Sequence, residues 1–212
     1  MSKELMMPFF IPMKEKINLK VICMNRPRAA GFCYNDIETE MMFKDAEIFL
    51  ENGADGIAFG FLNADATINI TKIRKMVELI HRYHKEAVFH RAFDCVSDPY
   101  VAVQQLIDCG VDRILTSGLQ PTAIEGAVLL RKLQSEFGKQ IELLAGSGIN
   151  QDNIQELREK TGIHQFHSSC KAWGKDLTTT VGSISYAYHD KDDYELVSAE
   201  IVQRLAQSLK EQ

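Results

Sequence analysis

Three features of this 212-residue chain point to an α/β fold, a TIM-type (β/α) barrel with six recognisable parallel strand-helix units. Short apolar runs alternate with segments of helical periodicity from about Lys20 onward. Successive runs begin about 23 to 36 residues apart, the size of a βα unit. The third feature is a repeated junction: Gly53-Ala54-Asp55-Gly56-Ile57, Gly110-Val111-Asp112-Arg113-Ile114 and Gly162-Ile163-His164-Gln165-Phe166 each place a helix-ending glycine, an apolar residue and a polar residue before a strand. Strands that read as apolar runs between helices belong to a parallel sheet covered by those helices. No Gly-x-Gly-x-x-Gly follows the first strand, which disfavours a dinucleotide fold.

In order, the pattern predicts strand Leu19–Met24 and a helix over Ile37–Asn52, where Ile37, Met41, Met42, Ile48 and Phe49 recur at helical spacing and Gly53 supplies the stop. Strand Gly56–Leu62 and helix Ile70–His84 follow, then strand Ala87–Phe93 and helix Pro99–Cys109. Next come strand Arg113–Thr116, helix Thr122–Phe137, strand Ile141–Ala145 and helix Gln151–Lys160. A sixth strand, His164–Phe166, leads into a looser stretch from Lys171 to His189, and an amphipathic helix over Tyr194–Lys210 closes the chain. The reading is one domain over 1–212: an atypical segment over 1–18, barrel units and loops over 19–189, and a C-terminal helix over 190–212.

A closed barrel of this class has eight units, and six are found. The expectation is therefore an open sheet whose first and sixth strands are unpaired edges, with Met6–Ile11 packed against the open side and the chain self-associating. Twenty-four Lys and Arg against 29 Asp and Glu give a net charge of −5, which argues against a nucleic-acid partner. The segment Leu5–Met13 is broken by two prolines and is too short to span a bilayer, so no membrane anchoring is expected. Five cysteines without C-x-x-C spacing fit a reducing, cytoplasmic setting, and each is expected to be buried and inert.

The carboxyl ends of parallel strands are where such folds keep their chemistry. Phe89-His90-Arg91-Ala92-Phe93-Asp94 is the most informative of them, because an apolar run there empties into titratable residues. If the strand persists, alternation puts His90 and Asp94 on one face as an acid/base pair. Arg26 and Arg28, with Arg91, are candidates for an anion clamp. Gly146, Ser147 and Gly148, with Ser168 and Ser169 after the last strand, offer a phosphate cradle. His81 and His84 lie in a polar helical stretch and read as a solvated face.

These blocks also resemble a known family. Arg26-Pro-Arg with Phe32-Cys-Tyr-Asn-Asp36, Phe89-His-Arg-Ala-Phe-Asp94, Leu115-Thr-Ser-Gly118, Ala145-Gly-Ser-Gly148 and Phe166-His-Ser-Ser169 are similar to the signature blocks of the CutC copper homeostasis family, in order and near its spacing. The resemblance implies a cytoplasmic barrel that self-associates and a link to copper. It also exposes departures: the family's first two strand units, with an acidic residue and cysteines proposed as copper ligands, have no counterpart here, and its Gly-Gly-Asp is replaced by Ala29-Ala30-Gly31. Cys23, Cys95 and Cys170, with His167, are then proposed as Cu(I) ligands on position alone. Two functions follow as expectations: cytoplasmic Cu(I) handling, or an enzyme acting on a small anionic or phosphorylated metabolite through His90 and Asp94. Either a small anionic ligand or a copper ion is thus the expected partner.

Overall fold

The computed structural model of the protein describes Lys16 and residues 18–210, and Met6–Ile11 lies outside these. Six parallel strands pair strictly in chain order: β1 (Ile22–Met24), β2 (Gly56–Phe59), β3 (Glu86–Phe89), β4 (Arg113–Thr116), β5 (Glu142–Gly146) and β6 (Gln165–His167). The helices between them are α1 (Asp36–Glu51), α2 (Ile70–Arg82), α3 (Pro99–Asp108), α4 (Ala127–Phe137) and α5 (Ile154–Thr161). The sheet curls into a half-barrel, and among the described residues β1 and β6 each have a single neighbour. Its register is level from β1 to β3 (Ile22 opposite Gly56, Gly56 opposite Glu86) and from β4 to β5 (Arg113 opposite Glu142), and steps by two residues between β3 and β4 (Val88 opposite Arg113) and between β5 and β6 (Leu144 opposite Gln165), the stagger of a barrel-type sheet.

Strand alternation divides the two faces of the sheet. Ile57, Phe59, Ala87, Phe89, Ile114, Leu143 and Ala145 form one buried cluster with Met42, Phe49, Met76, Ile80, Leu106 and Leu130 of the helices. The intervening Ala58, Val88 and Leu115 are also buried but stand outside that cluster, on the concave face. At the amino end of the same face Arg113 pairs with Glu86 at 2.6 Å and Glu142 at 2.7 Å. The concave face is therefore layered, with ions at the amino end, aliphatic side chains in the middle, and His90 and its neighbours at the carboxyl end.

Helix starts differ from the expectation where capping chemistry intervenes. Asn35 and Glu38 form a reciprocal capping box, so α1 begins at Asp36. Thr122 accepts no helical role: its amide and hydroxyl both donate to Glu125, and the helix begins five residues later at Ala127. Similarly Asn150 and Asn153 close a turn, and α5 begins at Ile154 rather than Gln151.

The tail is the largest departure. Lys171–His189 is not loose, and Tyr194 does not begin a helix. Instead β7 (Lys171–Lys175) pairs antiparallel with β10 (Asp193–Val197), while β8 (Thr180–Val181) and β9 (Ile184–Ser185) form a small hairpin between them. The buried Asp193 carboxylate accepts the amides of Tyr188, His189 and Asp190 and so fastens the turn into β10. Ser198 then caps α6 (Ala199–Ser208), which lays Leu205 against the core.

Candidate functional site

His90 sits where β3 ends. Its amide still donates to Phe59 O at 2.8 Å and its backbone is extended, so its side chain continues the concave face of Glu86 and Val88. The chain then turns into a 3-10 segment, Arg91–Cys95. This turn breaks the alternation on which a His90–Asp94 pair depended, and the two side chains do not hydrogen-bond to each other. His90 is 2% exposed, with its Nδ1 accepting the Ala92 amide at 3.1 Å. Burial holds its pKa down at about 4, so the ring is neutral at physiological pH.

Gly60 makes the ring's position possible. A Cβ at Gly60 would stand 2.6 Å from His90 Cε1 and 2.7 Å from the Ala92 Cβ. Phe32 packs against the ring at a tilt, with centroids 5.2 Å apart.

Asp94 is fully occupied. Its carboxylate accepts from Thr116 Oγ1 at 2.6 Å, Ser117 N at 2.9 Å, Leu119 N at 3.3 Å and Arg91 Nε at 2.7 Å. Arg91 also donates to Ser117 Oγ. Asp94 thus organises the loop after β4, and Arg91 serves that network rather than a free anion clamp.

The loop after β1 carries a ladder of arginines stacked on aromatic rings six residues ahead. Arg26 lies 4.7 Å over Phe32 and Arg28 lies 4.9 Å over Tyr34. Arg28 is committed to Glu38, and also donates to Gly31 O and Cys33 O. Their mutual hydrogen bond raises the Arg28 pKa and lowers that of Glu38. Arg26 is different: it donates to Ala30 O and pairs with no carboxylate among the described residues. Ala30 takes a left-handed backbone, φ 62°, to bring its carbonyl there. Tyr34 is 5% exposed; burial raises its pKa and the Arg26 charge opposes that rise.

The glycine-serine elements face inward to the backbone. Ser147 Oγ donates to Pro121 O, Ser168 Oγ donates to Ile149 O, and Asn153 Nδ2 donates to Gly148 O. These bonds hold the Gly146–Gly148 turn, and the two hydroxyl protons are not available to an anion. Ser169 is exposed. His167 is exposed at the end of β6, where partial desolvation and then the Arg91 charge lower its pKa.

Cysteine placement divides the five thiols in a way spacing did not show. Cys23, Cys109 and Cys170 are buried, whereas Cys33 and Cys95 are exposed and line one cavity of about 410 Å³ together with Arg26, Phe32, Leu62 and Asn63. Cys23 lies on one edge strand and Cys170 follows the other, so that proposed ligand set is split across the sheet. Among the described residues no three His, Cys, Asp or Glu side chains gather as a metal site. A larger concavity of about 1240 Å³ lies on the outer helical side between α1, α2 and α3, away from the strand ends. His81, read as solvated, approaches Asp112 Oδ2 at 2.9 Å at the amino end of the sheet.

Phe32, Tyr34, Gly60 and Cys33 were absent from the sequence-derived site. Phe32, Cys33 and Tyr34 stand in one of the family-like blocks, and the six-residue offset from each arginine to its aromatic ring is the further sign of Phe32 and Tyr34 in the sequence.

Comparison with known proteins places this arrangement. The CutC family model matches residues 9–172. A CutC family protein of Treponema denticola is 38% identical over 200 residues, covering 92% of this chain and 80% of that protein. One from Bacteroides thetaiotaomicron is 42% identical over 146 residues, 69% of this chain and 58% of the relative, so the chain matches little more than half of that protein. Among solved structures, the Streptococcus agalactiae protein given the copper homeostasis name CutC superposes with a TM-score of 0.70 at 28% identity, over 74% of this chain and 78% of that one. An aldolase, QR15, shares the fold alone, at 17% identity and a TM-score of 0.53. The blocks around Arg26, His90, Ser117, Gly146 and His167 thus lie on a barrel-type scaffold shared with these relatives, and the chain belongs to the CutC family.

Proposed function

We propose that the carboxyl ends of β1–β3 bind a small anionic metabolite, with Arg26 supplying the charge and His90 a polar contact. The observation that carries this reading is Arg26 itself. Of the three arginines at these strand ends, Arg28 is neutralised by Glu38 and Arg91 by Asp94, while Arg26 pairs with no carboxylate among the described residues. A guanidinium held against an aromatic ring, without a counter-ion, beside a buried neutral imidazole favours an oxygen anion. An enzyme of this kind would use His90 to polarise or position its substrate. Asp94 is too fully hydrogen-bonded to serve as the acid or base.

Isothermal titration of the purified chain with inorganic phosphate and short-chain carboxylates tests this. Arg26→Ala is expected to weaken the best binder ten- to a hundredfold, the loss of one charged hydrogen bond, and Arg28→Ala by clearly less. Equal effects of the two substitutions, or no saturable binding, would remove the anion reading.

Copper is the second reading, favoured by the name of the Streptococcus agalactiae relative and by two exposed thiols on one cavity. It moves the ligands from Cys23, Cys170 and His167 to Cys33 with Cys95, since soft thiolates suit Cu(I) and only accessible ones can load it. One equivalent of Cu(I) should then survive a competing chelator in Cys23→Ser/Cys170→Ser and be lost in Cys33→Ser/Cys95→Ser. The reverse pattern would return the site to the buried thiols. Five cysteines outside any disulfide suit a reducing cytoplasm, and β1 and β6, the edges of the sheet among the described residues, suit self-association, which sedimentation of the same preparations reads. No helix among the described residues is long and apolar enough to cross a membrane.

A further inference from the structure

We propose that His90 is a dedicated hydrogen-bond donor, presenting Nε2–H to an oxygen of the bound ligand, and that it takes up neither a metal ion nor a proton there. The inference rests on the anion reading and narrows it to ligands with an acceptor oxygen at the buried end, such as a carboxylate or phosphoryl group.

The tautomer follows from one bond. Nδ1 of His90 accepts the Ala92 amide at 3.1 Å, which requires the lone pair on that nitrogen. A neutral imidazole with Nδ1 so engaged carries its hydrogen on Nε2. It therefore has no second lone pair to offer a metal. Protonating Nδ1 would set two N–H groups against each other, in keeping with a pKa of about 4.

Nε2 is the second observation. It is buried and has no hydrogen-bond partner among the described residues. A buried donor left unmade is costly, and native structures keep few of them except where a ligand or water completes the bond. The ring has little freedom to turn toward another partner. Gly60 closes against it, as the 2.6 Å approach of an added Gly60 Cβ to Cε1 shows, and the Phe32 ring lies tilted against it with centroids 5.2 Å apart. Arg26 stacks on that same Phe32, so the cation and the donor flank one ring. Entry of a ligand displaces Phe32 and brings its negative oxygen between the imidazole N–H and the guanidinium. A cation would meet like charge and no lone pair.

Long-range ¹H–¹⁵N correlation spectra of the full chain test the tautomer directly. At pH 7 His90 is expected to show a bare Nδ1 and a protonated Nε2, unchanged down to pH 5. Saturating inorganic phosphate or acetate should move the Nε2 proton downfield without changing the tautomer, whereas one equivalent of Cu(I) should leave it in place. In titrations, His90→Phe should weaken the anion at least tenfold, and His90→Gln, whose side-chain amide still donates, should restore most of that loss. A protonated Nδ1, or undiminished binding by a folded His90→Phe variant, would overturn the proposal. Phosphate binding that depends on Arg26 but not on His90 would overturn it while leaving the anion reading intact. Absence of any anion effect on the Nε2 proton, with the tautomer as expected, would assign the donor to a resident water and overturn the proposal, and the anion reading falls with it where titration also shows no saturable binding.

Discussion

Asp94→Ala is expected to destabilise the fold by about 3–5 kcal/mol, the range for removing one partner of a buried charged network. The carboxylate is 8% exposed and terminates hydrogen bonds from Thr116, Ser117, Leu119 and Arg91. Alanine would leave the Ser117 amide, in a residue without solvent exposure, with no acceptor. The Arg91 guanidinium is more exposed and can turn to water, so most of the loss comes from the amides and the Thr116 hydroxyl rather than from the ion pair. Asp98→Ala is the appropriate comparison, since Asp98 caps α3 by accepting the Tyr100 and Val101 amides in an exposed place, worth about 1 kcal/mol. Urea unfolding of both variants measures the difference. An Asp94→Ala variant no less stable than Asp98→Ala would show that Asp94 does not hold the β4 loop together.

Acid should weaken the fold through His90 well before the carboxylates titrate. The imidazole's pKa is lowered from 6.5 in the unfolded chain to about 4 in the folded one. Between those values the unfolded state binds a proton that the folded state refuses, so stability rises with pH across the window. At 1.36 kcal/mol per unit the effect amounts to about 3 kcal/mol, present in full above pH 6.5 and lost progressively toward pH 4. His167 shifts in the same direction, but it is exposed and adds little. Glu142 and Asp193 have lowered pKa values and act on the same acid limb at lower pH, losing their contribution only as pH falls below the ordinary carboxylate range. Urea midpoints at pH 7 and pH 4.5 should therefore separate clearly in the wild type and converge in His90→Gln. A wild-type midpoint that does not move over that interval would mean that His90 accepts a proton in the folded state, and the buried neutral ring would have to be given up.

Strands and helices were legible because burial imposes periodicity. The apolar runs over β2, β3, β4 and β5 and the helical spacing in α1 and α2 follow directly from which faces meet the core. Boundaries were less legible wherever a polar side chain bonds the backbone locally. Glu125, Asn153 and Asp193 each reset an element end through such bonds, and hydrophobic pattern alone does not register them. The tail shows this most clearly: β7 and β10, with Trp173 opposite Glu195 and Tyr194 opposite Gly174, meet across a turn in which Asp193 gathers three amides.

The class of fold, the six parallel strands and the family are all written in the sequence, because each depends on patterns repeated over many residues. The sequence also singled out the strand-end blocks that carry Arg26, His90 and Asp94. What those residues do was decided by the tertiary structure. One turn of 3-10 geometry separates His90 from Asp94, the loop after β4 and the neighbouring Arg91 together occupy the Asp94 carboxylate, and Glu38 of another element neutralises Arg28 while Arg26 pairs with no carboxylate among the described residues. Likewise the two thiols that share a cavity, Cys33 and Cys95, lie 62 positions apart in the chain and on different loops. Periodicity records which side of an element is buried; the partner of a polar group is chosen across the fold, by directional bonds that leave no period in the sequence.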